Sequence, residues 1–250
     1  NDSNHRKTSA IYLLAVTGLC LAVFFALAAV AAGLGTRWNL WYFRSGLRIL
    51  RYAAYGGAAA ALISLIAVAA SAYKRTWRIF GISIIGLIIA TTVFAVPYNW
   101  SRVGKSVPPI HDITTDTEDP PQFSAILNLR KDSQNPVEYD AKVGALQHAA
   151  YSDIVPVMLT EPREQAFERA LKTAGKMGWE IVAVDREKGL IEATDATFWF
   201  GFKDDIVIRL RPEVKGSRID LRSVSRVGKS DMGTNARRIR CFVKKLLETT

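Results

Sequence analysis

Two stretches carry side chains that could do chemistry. The first, Ser225-Arg226-Val227-Gly228-Lys229-Ser230-Asp231-Met232-Gly233-Thr234-Asn235, sets glycines and basic residues just ahead of a helical pattern. Free N–H groups at a helix start can hold an anion. Gly228-Lys229-Ser230 resembles the tail of a phosphate loop, but the full pattern needs glycine at 223, where Ser223 stands, so a nucleotide P-loop is excluded. Capping is the alternative, with Asp231, Thr234 or Asn235 accepting from helix N–H groups while the glycines turn the chain. As a ligand site, Arg226, Lys229, Asp231, Asn235 and Arg238 would form one end, with Trp199 and Phe200 as an apolar wall.

The second stretch is His111-Asp112 with Asp116, Glu118 and Asp119. Carboxylates and one imidazole can bind a divalent cation, and a His–Asp pair can move protons. His111, Asp112 and Asp116 are therefore the candidate metal ligands. Against this, the Pro-flanked stretch has no helical spacing to aim the groups together, and Asx turns account for aspartates in such loops. Phe198-Trp199-Phe200-Gly201-Phe202 is a third unusual run. Consecutive aromatics cannot all enter one core from a strand, so some line a groove, meet a partner or touch a membrane surface, unless a bulge at Gly201 packs them. Cys20 and Cys241 imply neither a disulfide nor a metal site, and no Ser-His-Asp, zinc or dinucleotide signature is present. No catalytic residue and no cofactor follows from these motifs.

The elements that must position these residues fall in the C-terminal part. Pro97, Pro108, Pro109, Pro120 and Pro121 punctuate residues 99–150, read as an irregular linker leading into the domain core at 151–250. Thr160 and Pro162 open a helix with an apolar stripe of Ala166, Phe167, Ala170, Leu171 and Ala174, and Gly178 ends it. Four strands follow, Trp179–Asp185, Leu190–Thr197, Asp205–Arg211 and Arg218–Ser225, then a helix at Asn235–Glu248 with Ile239, Phe242, Val243, Leu246 and Leu247 on one side. The expected fold is an α+β two-layer domain with an antiparallel sheet. Alternation puts Arg209, Arg211, Arg218 and Arg222 around Asp220 on the sheet's other face, with Glu192 one strand away: a ladder of charge pairs or an anion site.

The N-terminal part is different in kind. Residues 1–98 hold nine basic residues and one acid, net +8; the remainder holds 24 basic and 22 acidic, net +2. The basic excess belongs to the apolar half, where it flanks membrane spans, and is not a nucleic-acid footprint. Three uncharged stretches, Thr8–Thr36, Tyr52–Tyr73 and Ile79–Ser101, are each long enough for a transmembrane helix, with spans at about 10–33, 52–73 and 79–97. The first is read as an uncleaved anchor, because its apolar core exceeds a signal h-region and two spans follow. Arg37, Trp41, Arg44, Arg48 and Arg51 would share one helical face. This is either a basic helix lying in the headgroup region or an early start of the second span whose arginines snorkel. Five positive charges on one side (Arg6, Lys7, Lys74, Arg75, Arg78) against six on the other leave orientation open.

Ile110-His111-Asp112-Ile113-Thr114-Thr115-Asp116, Pro120-Pro121, Ile191-Glu192-Ala193-Thr194-Asp195, Phe200-Gly201-Phe202-Lys203-Asp204-Asp205, Ser223 through Gly228 and Asn235-Ala236-Arg237 occur in that order. In these blocks residues 107–248 resemble the DUF1499 family, a domain of unknown function, and the preceding spans resemble its membrane-anchored bacterial members. The resemblance implies no activity. It implies an exported domain, hence a protein of the bacterial inner membrane with its C-terminal domain in the periplasm. The functional expectation is a binding or accessory module that engages the bilayer and a partner, an envelope component or an anionic or amphipathic ligand. The alternatives are a metal-dependent membrane hydrolase using His111, Asp112 and Asp116, and a structural subunit of a larger membrane complex.

Overall fold

The computed structural model describes residues 2–248, and side chains from residue 8 onward. Arg6 and Lys7, which enter the charge count above, have side chains outside the described set. The chain divides into two units: residues 1–102 with Phe198–Gly201, and residues 103–197 with 202–250.

The first unit contains three long helices, α1 (Asp2–Arg37), α2 (Phe43–Tyr73) and α3 (Trp77–Ser106). Each contains a stretch long and apolar enough to cross a membrane. Small residues set their packing. A Cβ on Gly18 would lie 2.6 Å from the Ser64 hydroxyl oxygen, and one on Gly86 would lie 3.2 Å from the Leu19 backbone. Ala22, Ala60 and Ala90 are all fully buried and form one cluster. Between helices this apolar, close backbone approach and van der Waals contact are what small residues supply. α2 begins at Phe43 directly after a turn, so the arginines after it belong to an early start of the second span rather than to a separate surface helix. α3 passes Pro97 without ending. The ring removes one i→i−4 bond, which a 30-residue helix absorbs.

The second unit is built on an antiparallel six-stranded sheet. Its strands are β1 (Asp112–Thr114), β2 (Val157–Leu159), β3 (Glu180–Asp185), β4 (Leu190–Ala196), β5 (Lys203–Glu213) and β6 (Gly216–Ser225). The order is β1-β6-β5-β4-β3, with β2 also on β6. Three helices accompany it, α4 (Ala141–Ala150), α5 (Arg163–Lys176) and α6 (Thr234–Glu248). On one face Ile191, Ile206, Ile208, Leu210, Ile219 and Leu221 meet Phe167 and Ala170 of α5 and Ile239 and Phe242 of α6. Trp179 stacks on Phe242 at 5.3 Å. Leu247, expected on this stripe, is exposed at 53%.

Residues 99–150 are more ordered than their prolines and polar residues suggest, holding β1, a 3-10 helix at Ala125–Arg130 and α4. α4 lacks an amphipathic stripe, and its buried residues are Gly144 and Gln147. It is fixed instead by the Asp140 cap on the Lys142 N–H and by Gln147. The Gln147 amide accepts from the Thr114 N–H at 3.0 Å and donates to the Thr114 carbonyl at 2.6 Å, standing in for a neighbouring strand on β1. The 3-10 helix and its flanks cover the second face of the sheet, where Phe123, Ile126, Val207 and Val224 form another apolar cluster. Helix α5 starts with Pro162, rather than Thr160, at its N-cap.

Candidate functional site

The second sheet face carries the charges that alternation places there. Asp220 is fully buried and accepts from Arg209 at 3.0 Å, Arg211 at 2.8 Å and Arg218 at 2.8 Å. Asp116 takes further bonds from Arg211 and Arg218, and Asp119 one from Arg211. Arg222 turns away from this group. It forms a bidentate pair with Asp112 at 3.0 and 2.7 Å and lies between the rings of Phe123 and Tyr139. Among the described residues Glu192 pairs with no cation. Its carboxylate accepts the N–H groups of Ser124, Ala125 and Ile126, capping the start of the 3-10 helix. Asp205 accepts from Arg226 through both oxygens, from Arg130 and from the Thr194 hydroxyl.

These partners set the titration of the acids. Burial pushes the Asp116 and Asp205 carboxyls up. Backbone N–H groups with arginine charge at Asp116, and Arg226, Thr194 and Arg130 at Asp205, outweigh it and hold both below the usual range. Burial and then the neighbouring Asp112 charge push the Tyr139 phenol up to about 12. Burial also raises Asp231, against the two N–H groups it caps.

The turn at 226–235 is held from several directions. Asn135 donates to the carbonyls of Ser225 and Gly228, and the Arg226 carbonyl accepts from the N–H groups of Gln134 and Asn135. Asp231 accepts from the N–H of Gly233 at 3.0 Å and of Asn235 at 2.6 Å, which is a cap on α6. Asn235 links Ser223, Ser225, the His111 carbonyl and Arg238. Arg238 is committed to Asp195 and Asp204. Met232 sits at φ 51 between glycines at 228 and 233 with φ 93 and 77. A positive φ is uncommon for a side chain like methionine. Lys229 is exposed and Met232 is 43% exposed.

Of the candidate ligand residues, the structure bonds Asp231, Asn235 and Arg238 to one another, takes the Arg226 side chain away to Asp205 and Thr194, and leaves Lys229 exposed. Trp199 and Phe200 belong to the first unit. There Trp199 donates to the Val30 carbonyl and meets Trp100, Arg37 donates to the Phe198 carbonyl, and Phe200 is buried. Of the candidate metal residues, Asp112 is taken by Arg222 and Asp116 by arginines, while His111 contributes its carbonyl to Ser225 and Asn235. Among the described residues no three His, Cys, Asp or Glu side chains converge as a metal would need. Sequence reading missed Arg130, and it missed the matching of Asp112 to Arg222 and of Arg238 to Asp204. The strand period placed Arg222 but neither Asp112, on a three-residue strand far away in sequence, nor Asp204, just outside the expected strand, and the distance in space to Arg238 on a helix face is encoded by no local pattern.

Three apolar helices followed by an α+β domain on an antiparallel sheet define a protein compatible with membrane anchoring, with its polar chemistry in the C-terminal domain. Within that class the assignment is specific: residues 112–246 match the model of the family described as "Protein of unknown function (DUF1499)", and the chain belongs to that family. No curated protein and no solved structure matches the chain.

Proposed function

We propose that this is a membrane-anchored binding or accessory module whose C-terminal domain engages a partner or an anionic or amphipathic ligand near the bilayer through the turn at 226–238. The carrying observation is the turn itself. Arg226, Asp231, Asn235 and Arg238 are bonded into the domain, and this fixed frame leaves Lys229 exposed and Met232 half-exposed, its sulfur facing Gly104. A preformed contact surface binds with less ordering cost than a mobile one. The arginine pairing of Asp112, Asp116, Asp205 and Asp220 also supports binding over catalysis, because it leaves these carboxylates occupied by partners within the fold. Membership of a family with membrane-anchored bacterial relatives supports a place in the bacterial inner membrane with the domain in the periplasm.

A photo-crosslinking residue at position 229 of the full chain in membranes tests the reading, with the same residue at exposed Lys172 on α5 as control. The expected result is an adduct specific to position 229 that is lost when Met232→Ser is added. A C-terminal reporter active only outside the cytoplasm should then be active. Equal labelling at 229 and 172 would contradict the binding surface, and an inactive outside reporter would contradict the periplasmic placement.

A further inference from the structure

The arginines of the first unit behave differently from those of the second. On α2, Arg44, Arg48 and Arg51 follow i, i+4, i+7 spacing, share one face and are exposed. Among the described residues none has an acidic partner, and Arg44 lies only over the Phe43 ring, at 5.9 Å. The same face continues through Tyr55, Leu62 and Ile66, exposed at 63%, 61% and 50%. The opposite stripe, Gly46, Leu50, Ala53, Gly57, Ala60 and Ser64, is buried in the bundle.

Height along the helix tells what this face meets. Tyr52 to Tyr73 rises about 32 Å, close to the ~30 Å of a hydrocarbon core. Exposed Tyr52 and Tyr73 mark its two boundaries, as interfacial aromatics do. Arg51 therefore stands at the edge of the hydrocarbon, Arg48 roughly 5 Å further out and Arg44 roughly 11 Å out, spanning the phosphate layer.

We infer that this face of α2 is a docking site for an anionic phospholipid, with its phosphate between Arg48 and Arg51 and an acyl chain along Tyr55, Leu62 and Ile66. Guanidinium forks match phosphate oxygens in paired hydrogen bonds. Charge selects the occupant. Residues 1–98 contain a single acid, Asp2, so a second copy on this face would set arginine against arginine. A zwitterionic lipid would bring its own cation beside three others, whereas an anionic headgroup brings none. The site lies wholly in the first unit and does not depend on the turn at 226–238.

The test uses the full chain, purified in uncharged detergent and offered phosphatidylglycerol or phosphatidylcholine in equal amounts, with retained lipid counted by native mass spectrometry. The wild type should retain phosphatidylglycerol at least about tenfold better than R44Q/R48Q/R51Q, since each arginine near an anionic headgroup contributes on the order of 1 kcal/mol. The lysine triple variant R44K/R48K/R51K should keep a preference for phosphatidylglycerol. Equal retention by wild type and the glutamine variant, or equal retention of the two lipids, would overturn the site. So would inorganic phosphate displacing the lipid, which would mark a soluble-anion site, or a dimer that dissociates in the glutamine variant. Helix content by circular dichroism separates these results from misfolding, and Arg48→Gln alone should lower retention if the triple variant does not fold.

Discussion

Arginine serves opposite ends in the two units. In the C-terminal unit Arg222, Arg130 and Arg238 are nearly or fully buried, and each is bonded to an aspartate. In the N-terminal unit Arg44, Arg48 and Arg51 are exposed and, among the described residues, have no acid beside them. The same side chain is a structural clasp where the fold supplies a carboxylate and an open docking group where it does not. The contrast also divides the +10 net charge: the C-terminal half neutralises its own arginines, and the apolar half leaves its excess for something outside the chain.

The sharpest way to break this comparison is to remove a clasp. Arg222→Met leaves Asp112 buried and unpaired and should cost about 3–5 kcal/mol, seen as loss of hydrogen-exchange protection in β1 and β6 of the full chain. Adding Asp112→Leu should restore part of it, because an apolar pair replaces an uncompensated charge. A smaller loss, about 1–3 kcal/mol from overpacking, is expected for Gly86→Leu, where the helices approach too closely for a side chain. It should appear as a lowered thermal midpoint of the helices in detergent while protection in β5 and β6 stays unchanged.

Acid titration gives a third, weaker effect confined to the C-terminal unit. The folded pKa of Asp116 and of Asp205 is depressed, so each contributes stability that is complete above the unfolded value near 3.8 and is lost as pH falls through the folded value. Protection of β5 and β6 should therefore decline as pH drops below about 4, and Asp116→Asn should flatten that decline. The smallest effect belongs to Lys229. Lys229→Ala should change stability by less than about 0.5 kcal/mol while abolishing whatever contact the turn makes, as read by crosslinking from Ser230.

How much of this was legible in the sequence follows the same division. Uncharged stretches sufficed for three long apolar helices, because hydropathy is a property of contiguous residues. Period-two alternation in Ile206–Arg211 and Arg218–Arg222 placed the charges on one sheet face correctly. It could not show that Arg222 would leave Asp220 for Asp112, because Asp112 lies 110 residues away and its strand is only three residues long. Nor could it show that this face is covered. The 3-10 helix lying over it is anchored by backbone N–H groups on Glu192, an interaction with no side-chain pattern to read. At the candidate site, capping by Asp231 was readable from the glycine-rich turn, whereas the commitment of Arg226 to Asp205 needed the fold.

The most direct test of the contrast exchanges the two arginine sets in parallel. R44Q/R48Q/R51Q and R209Q/R211Q/R218Q would each be measured for phosphatidylglycerol retention and for hydrogen-exchange protection of β5 and β6. A clean crossover is predicted: the first variant loses lipid and keeps sheet protection, and the second loses sheet protection and keeps lipid. If the first set also lowers sheet protection, or the second also lowers lipid retention, the division between clasping and docking arginines is wrong.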